Sequence, residues 1–313
     1  PNLAKLASEG AFFPNAYVPT PMCRASHASL LTGLYAHEHH ICRTGQSEVG
    51  LKGMSTLPRL MTGQGYASFQ AGKHWEGTYQ DGGFTEGTKK REQAERGDPI
   101  ALPKTPKLRV GRETMRPVFR FLKKNEKKLF FLFFAPVSPH TPHDPPERLL
   151  QQYRDAGLEE REAAYAAMCE WFDENVGKLL SYLDERSLRE TTLIVFAVDN
   201  GFVMADFGGT PERRAKNTPY DLGTRYPMLF VQPGRIEPGR FEEPVTSLDV
   251  LPTVLDLAGL KIPERVSGRS LARLLSHKEP LGRPAIFGEV YPHSAATPQD
   301  PEMHPASVWP RSG

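Results

Sequence analysis

The chain has 313 residues, 39% of them apolar, and a formal net charge of +2. That length can bury one large core or two unequal ones, and so small a charge excess gives no electrostatic reason to expect a nucleic-acid partner. Mean hydropathy is −0.47, and no apolar run approaches the ~20 residues of a membrane helix, so no membrane span is expected.

In chain order, the first 80 residues carry short motifs and no long periodic element. From Gly82 to Arg112 the chain is polar and rich in Gly, Pro and charge, which predicts a long surface excursion. Lys123, Lys124, Lys127 and Lys128 suit a solvated helix end. Leu129–Ala135 then predicts a strand buried on both faces, as does Thr192–Val198. Between them, Tyr165, Cys169, Phe172, Val176, Leu179 and Leu183 recur at spacings of three and four, predicting a helix over Glu159–Arg186. Pro227–Val231 and Ile286–Val290 are further strand candidates, and Ser247–Ala258 a helix closed at Gly259. Strands alternating with amphipathic helices predict an α/β protein, a mainly parallel mixed sheet between helices. The tail Ala295–Gly313 has no periodicity and reads as irregular. Three cysteines (Cys23, Cys42, Cys169) are too few for a disulfide framework or a zinc site, although one pair could bridge.

Four segments carry chemistry. The first is Cys23-Arg24-Ala25-Ser26-His27-Ala28-Ser29-Leu30-Leu31-Thr32-Gly33. The second runs from Gly65-Tyr66 through Gly72-Lys73-His74-Trp75-Glu76-Gly77 to Gly83-Phe84. The third, Ala135-Pro136-Val137-Ser138-Pro139-His140-Thr141-Pro142-His143-Asp144, follows a strand at the edge where α/β enzymes place ligand loops, and its prolines stiffen the presentation of two imidazoles. The fourth is Val198-Asp199-Asn200-Gly201, followed by Lys216-Asn217-Thr218 and by Tyr220-Asp221, Gly223 and Arg225-Tyr226-Pro227. Its Asp-Asn pair offers hard oxygen donors suited to Ca²⁺ or Mg²⁺. Taken singly, Cys23 would read as a buried thiol, Lys73 as a surface lysine and Asp199 as part of a strand-ending turn.

Together and in this order, the four segments resemble the sulfatase family, along Pro1 to about Glu289. The resemblance implies an alkaline phosphatase-like fold, with a catalytic domain over residues 1–290 that begins after the family's first core strand. The remainder, 291–313, would be the start of a C-terminal region. It implies sulfate ester hydrolysis by a formylglycine made from Cys23, with a formylglycine-generating enzyme as maturation partner and a sulfated small molecule or glycan as substrate. It also implies one divalent cation, Ca²⁺ first and Mg²⁺ second, on Asp199, Asn200 and the Cys23 derivative. A pair of aspartates on that first strand completes the family's cation site, and this chain alone is therefore expected to bind the ion poorly. Lys73 and Lys216 correspond to the family's sulfate-contacting lysines, and His140, with His143 as competitor, to its loop histidine. Arg24, His27 and His74 are expected near the substrate. The sequence departs from the family pattern at His27, usually Arg, and at Trp75, usually His. Export is implied by the family alone. Two alternatives stand beside this reading: a phosphate or phosphonate ester hydrolase of the same superfamily, and a non-catalytic relative or inactive fragment that binds sulfated ligands without turning them over.

Overall fold

The computed structural model describes residues 1–42, 49–88, 109–202, 215–277, 279–291 and 307–311. They form two compact units, one from Pro1–Lys5 and Pro58–Arg189, the other from Leu6–Leu57 and Glu190–Gly313. Each is α/β, with strands backed by helices, in keeping with the fold class expected from the sequence.

In the first unit, strand Ala67–Gly72 pairs in parallel with Phe130–Ala135 on one side and with Glu86–Gly87 on the other. Helix Arg116–Asn125 starts with a proline in its first turn, where a missing N–H costs nothing. Its buried Val118, Phe121 and Leu122 join Phe69 and Ala71 in one cluster, with the Phe69 and Phe121 rings stacked at 5.0 Å. The long helix spans Glu160–Glu185, within a residue of expectation at each end. Its buried side runs through Ala163, Ala167, Met168, Val176, Leu180 and Leu183. Tyr165, Cys169 and Phe172 are only half-buried. Helix Glu147–Asp155 packs against it. Asp173 on the same helix accepts the backbone N–H groups of Asn2 and Leu3 at 2.9 and 2.7 Å.

The second unit holds a five-stranded mixed sheet in the order Ile194–Phe196, Arg225–Val231, Ala11–Tyr17, Gly239–Arg240, with Val245–Thr246 also pairing with Ala11–Tyr17. The inner pairings are antiparallel and the last two parallel. Ala11–Tyr17 was not anticipated, because Pro14 lies within it. Its register shifts between Phe13 and Ala16, and such an irregularity is where a strand can tolerate a residue without an N–H. Phe13, Phe230, Leu31, Leu248 and Leu251 are all buried in this unit. The helix expected over Ser247–Ala258 divides into a 3₁₀ turn, Ser247–Asp249, and an α-helix, Val250–Leu257, followed by Gly259 at φ 69°. Ser307–Arg311, expected to be irregular, pairs antiparallel with Ile286–Val290.

The two strands expected to be buried on both faces are not. Phe130–Ala135 and Ile194–Phe196 are half-buried throughout. The reason is topological: among the described residues each pairs on one side only and ends its sheet.

Candidate active site

The second unit assembles the cysteine segment with the Asp-Asn motif and Lys216. Helix Cys23–Thr32 opens at Cys23 itself; Met22 caps it in extended conformation with no side-chain bond, and Gly33, at φ 69°, closes it with its N–H on Ser29 O. A helix start orients backbone donors toward an anion. The Cys23 thiol lies 3.2 Å from Asn200 Oδ1 and accepts from Lys216 Nζ at 2.9 Å. A close glycine approach and a backbone bond bring these loops together. Gly201 donates its N–H to Gly223 O at 2.9 Å, and a Cβ on Gly201 would stand 1.8 Å from Leu222 O. Asn217, in the left-handed region at φ 63°, donates its N–H to Pro21 O at 3.0 Å. That bond ties the Lys216 loop to the approach to Cys23.

His27 Nε2 faces Asp199 Oδ2 at 3.6 Å. Arg24 is buried, and its Nη2 donates to Val49 O at 2.8 Å. The other two cysteines are poor competitors as nucleophiles. Burial pushes the Cys42 thiol up to about 12 and raises that of Cys169, and none of the three cysteines is in a disulfide.

The donor chemistry fits a nucleophile at Cys23, since one neighbour supplies a cation and the other accepts a proton. It does not fit a complete cation site. Asp199 and Asn200 offer hard oxygens, but calcium takes ~6–8 such ligands. Among the described residues no group of three or more His, Cys, Asp or Glu could hold a metal. Asp206 lies outside the described residues, and Asp221 is exposed in the first turn of Asp221–Thr224.

The first unit carries the remaining expected residues. Lys73 leaves strand Ala67–Gly72 with its N–H on Ala135 O at 2.6 Å. A Cβ on Gly72, φ 97°, would meet that same carbonyl at 2.1 Å. The Lys73 turn and the histidine loop thus leave the parallel sheet at one edge. Lys73 Nζ lies 5.4 Å from the Trp75 ring centroid. His74 points into the turn: it is 7% exposed, its Nε2 bonds Thr78 O at 3.1 Å, and it meets Phe84 edge-on. That arrangement braces the turn and does not present the ring at the surface. His140 is exposed, its Nδ1 3.0 Å from Thr141 O. His143 is half-buried against Tyr165 at 5.5 Å. Burial first, then Arg112 and His140, lower its pKa.

Arg112 was missed in the sequence. It ends a stretch expected to be surface, yet it is 6% exposed and bonds three positions of the histidine loop. Residues 89–108 of that stretch lie outside the described residues, as do 203–214.

A thiol at a helix start, held between an ammonium group and an amide oxygen on an α/β scaffold, is an arrangement that can meet an anionic ester. The chain belongs to the sulfatase family, whose model, described as Sulfatase, matches residues 1–260. An arylsulfatase of Clostridium perfringens is 26% identical, over 92% of this chain and 76% of its own length. An N-acetylgalactosamine-6-sulfatase of Canis lupus familiaris is 29% identical, over 84% of this chain and 58% of its own. Among solved structures, Ps i-CgsB in complex with k-i-k-neocarrahexaose superposes with a TM-score of 0.78 at 25% identity, over 93% of this chain and 74% of that one. The phosphonate monoester hydrolase of Agrobacterium radiobacter shares the fold, with a TM-score of 0.71 at 20% identity, over 93% and 75%. No helix of the described residues is long and apolar enough to cross a membrane.

Proposed function

We propose that the protein hydrolyses sulfate esters with Cys23, matured to formylglycine, as its nucleophile. The observation that carries this reading is the pair of contacts on Cys23: Lys216 Nζ at 2.9 Å and Asn200 Oδ1 at 3.2 Å. The cysteine Sγ stands in for the oxygen of the matured residue. A formylglycine hydrate supplies an oxygen nucleophile for sulfur and a second hydroxyl through which sulfate is later released.

The residues of this chain do the rest. Lys216 holds positive charge where the sulfate oxygens gain negative charge in the transition state. Asn200 Oδ1 accepts a hydroxyl proton and so orients the attacking lone pair. Arg24 adds positive potential on the same helix, on which His27 faces Asp199. Lys73 as a sulfate ligand and His140 as the acid that protonates the leaving oxygen rest on the motif match, with His143 as the competing acid. The substrate class is a sulfated small molecule or glycan. Support comes from the canine relative's name and the oligosaccharide in the Ps i-CgsB complex. A formylglycine-generating enzyme is the maturation partner, and export follows the family pattern.

The test is co-expression with a maturation enzyme, followed by mass spectrometry of the Cys23 peptide. Matured protein is then assayed on aryl sulfates and sulfated sugars, with phosphate and phosphonate esters for comparison. Conversion of the thiol to the aldehyde, with turnover of a sulfate ester, is the expected result. A persistent thiol would sink the mechanism. Preference for a phosphonate would move the chain to the second chemistry. Aldehyde without turnover of any ester would favour a binding role.

A further inference from the structure

The guanidinium of Arg112 lies beneath the histidine loop, with 4% of its side chain exposed. Its Nε donates to Ser138 Oγ at 3.2 Å, its Nη1 to Asp144 Oδ1 at 2.7 Å, and its Nη2 to the His140 carbonyl at 2.5 Å. One side chain therefore grips three positions spread over seven residues. Its own backbone is fixed as firmly. Asn175 Nδ2, from the long helix, donates to Gly111 O at 3.0 Å. Gly111, at φ 78°, packs so close to Pro136 that a Cβ there would stand 2.5 Å from the proline Cβ.

Burying a charge is costly, and the cost is offset only by good pairing and hydrogen bonding. Prolines and apolar side chains could stiffen this loop without a cation. A buried arginine adds what they cannot: a planar fork with fixed donor directions, and a positive charge near the His143 imidazole.

We propose that Arg112 is the positioning residue of the histidine loop, setting where the His140 imidazole stands and so acting on turnover more than on substrate capture. This rests on the reading that His140 serves the reaction. A displacement of about 1 Å in a catalytic group can cost ~10²-fold in rate, and three bonds within one loop are a means of preventing it. The groups facing His143 are Arg112, His140, Asp144, the Pro139 backbone and the Tyr165 ring. Removing the arginine charge should make His143 easier to protonate, which gives a readout that needs no turnover.

The experiment uses the full chain, wild type beside Arg112→Gln, Arg112→Lys and Asp144→Asn, with circular dichroism to verify folding. In NMR titrations of the histidine rings, Arg112→Gln should raise the His143 midpoint and shift the His140 and Thr141 resonances. On an aryl sulfate, with Cys23 matured, Arg112→Gln should lower kcat by about 10- to 100-fold with KM changed by less than about threefold. Arg112→Lys should recover part of the loss. Asp144→Asn, which takes the carboxylate charge from one of the three bonds and leaves the arginine in place, should show a smaller kcat loss. It keeps the test decisive if the arginine variants do not fold. Unchanged ring titrations, or a loss confined to KM, overturn the proposal. Should the wild type turn over no sulfate ester, the functional reading has failed, and the ring titrations alone decide whether Arg112 positions the loop.

Discussion

Lys216 and Asn200 meet Cys23 with opposite hydrogen-bonding roles, the ammonium donating and the amide oxygen accepting, so the pair distinguishes this cysteine from Cys42 and Cys169. Lys216→Ala should lower kcat on an aryl sulfate by about 10²–10³-fold, the usual effect of removing a donor to transition-state charge. Steady-state kinetics on matured protein checks this, and a loss below about fivefold would remove Lys216 from the reaction. A second residue-scale expectation concerns His39, which lies ten residues along from Ser29 and is fully buried. Ile41 N–H donates to its Nδ1, so Nε2 carries the proton and donates to Ser29 Oγ at 2.9 Å. Burial, then His40, hold its pKa down at about 3. The native ring therefore stays neutral while the unfolded ring protonates below about 6.5. Its contribution is complete above that value and is lost progressively as pH falls toward about 3, a few kcal/mol in all. Urea unfolding from pH 7 to 4 should show the decline, and His39→Gln should flatten it.

Among the elements, the most strongly clamped is the 3₁₀ turn Ser247–Asp249. Asp249 is fully buried and paired with both Nη atoms of Arg283 at 2.7 and 2.6 Å. It also accepts the backbone N–H groups of Thr246 and Arg269. Asp249→Ala strands a buried guanidinium and should cost roughly 3–5 kcal/mol, read as a lower denaturation midpoint. Legibility divides along the same physical line. Glu160–Glu185 was readable because its apolar residues set a helical period locally, and Ile286–Val290 because it is a short run rich in strand-forming residues. Ala11–Tyr17 was not, because a proline interrupts the pattern and only tertiary pairing with Arg225–Val231 makes it a strand. The Cys23, Asn200 and Lys216 cluster was legible as motifs in order, since their chemistry is carried by residue type. Arg112 was invisible: nothing local distinguishes a buried arginine from a solvated one, and its partners lie 26 to 32 residues away.

At the scale of the molecule, the donor count governs the cation. With Asp199 and Asn200 as the candidate hard-oxygen ligands and no group of three or more metal-holding side chains among the described residues, calorimetric titration of the 313-residue chain with CaCl₂ should show no tight, stoichiometric binding. A submicromolar site would contradict this and would require ligands from outside the described residues.

Among the described residues strand Phe130–Ala135 has a neighbour on one side only, and that asymmetry should be visible in solvent exchange. Ala67 N–H bonds Leu129 O, and Lys73 N–H bonds Ala135 O. In a parallel ladder this directs the amides of Phe131, Phe133 and Ala135 inward and those of Phe130, Leu132 and Phe134 toward the open edge. Deuterium uptake followed residue by residue should alternate slow and fast along the strand, a comb with a period of two. Another strand laid along that edge would erase the comb, so the exchange pattern of one six-residue segment would report whether anything has docked there.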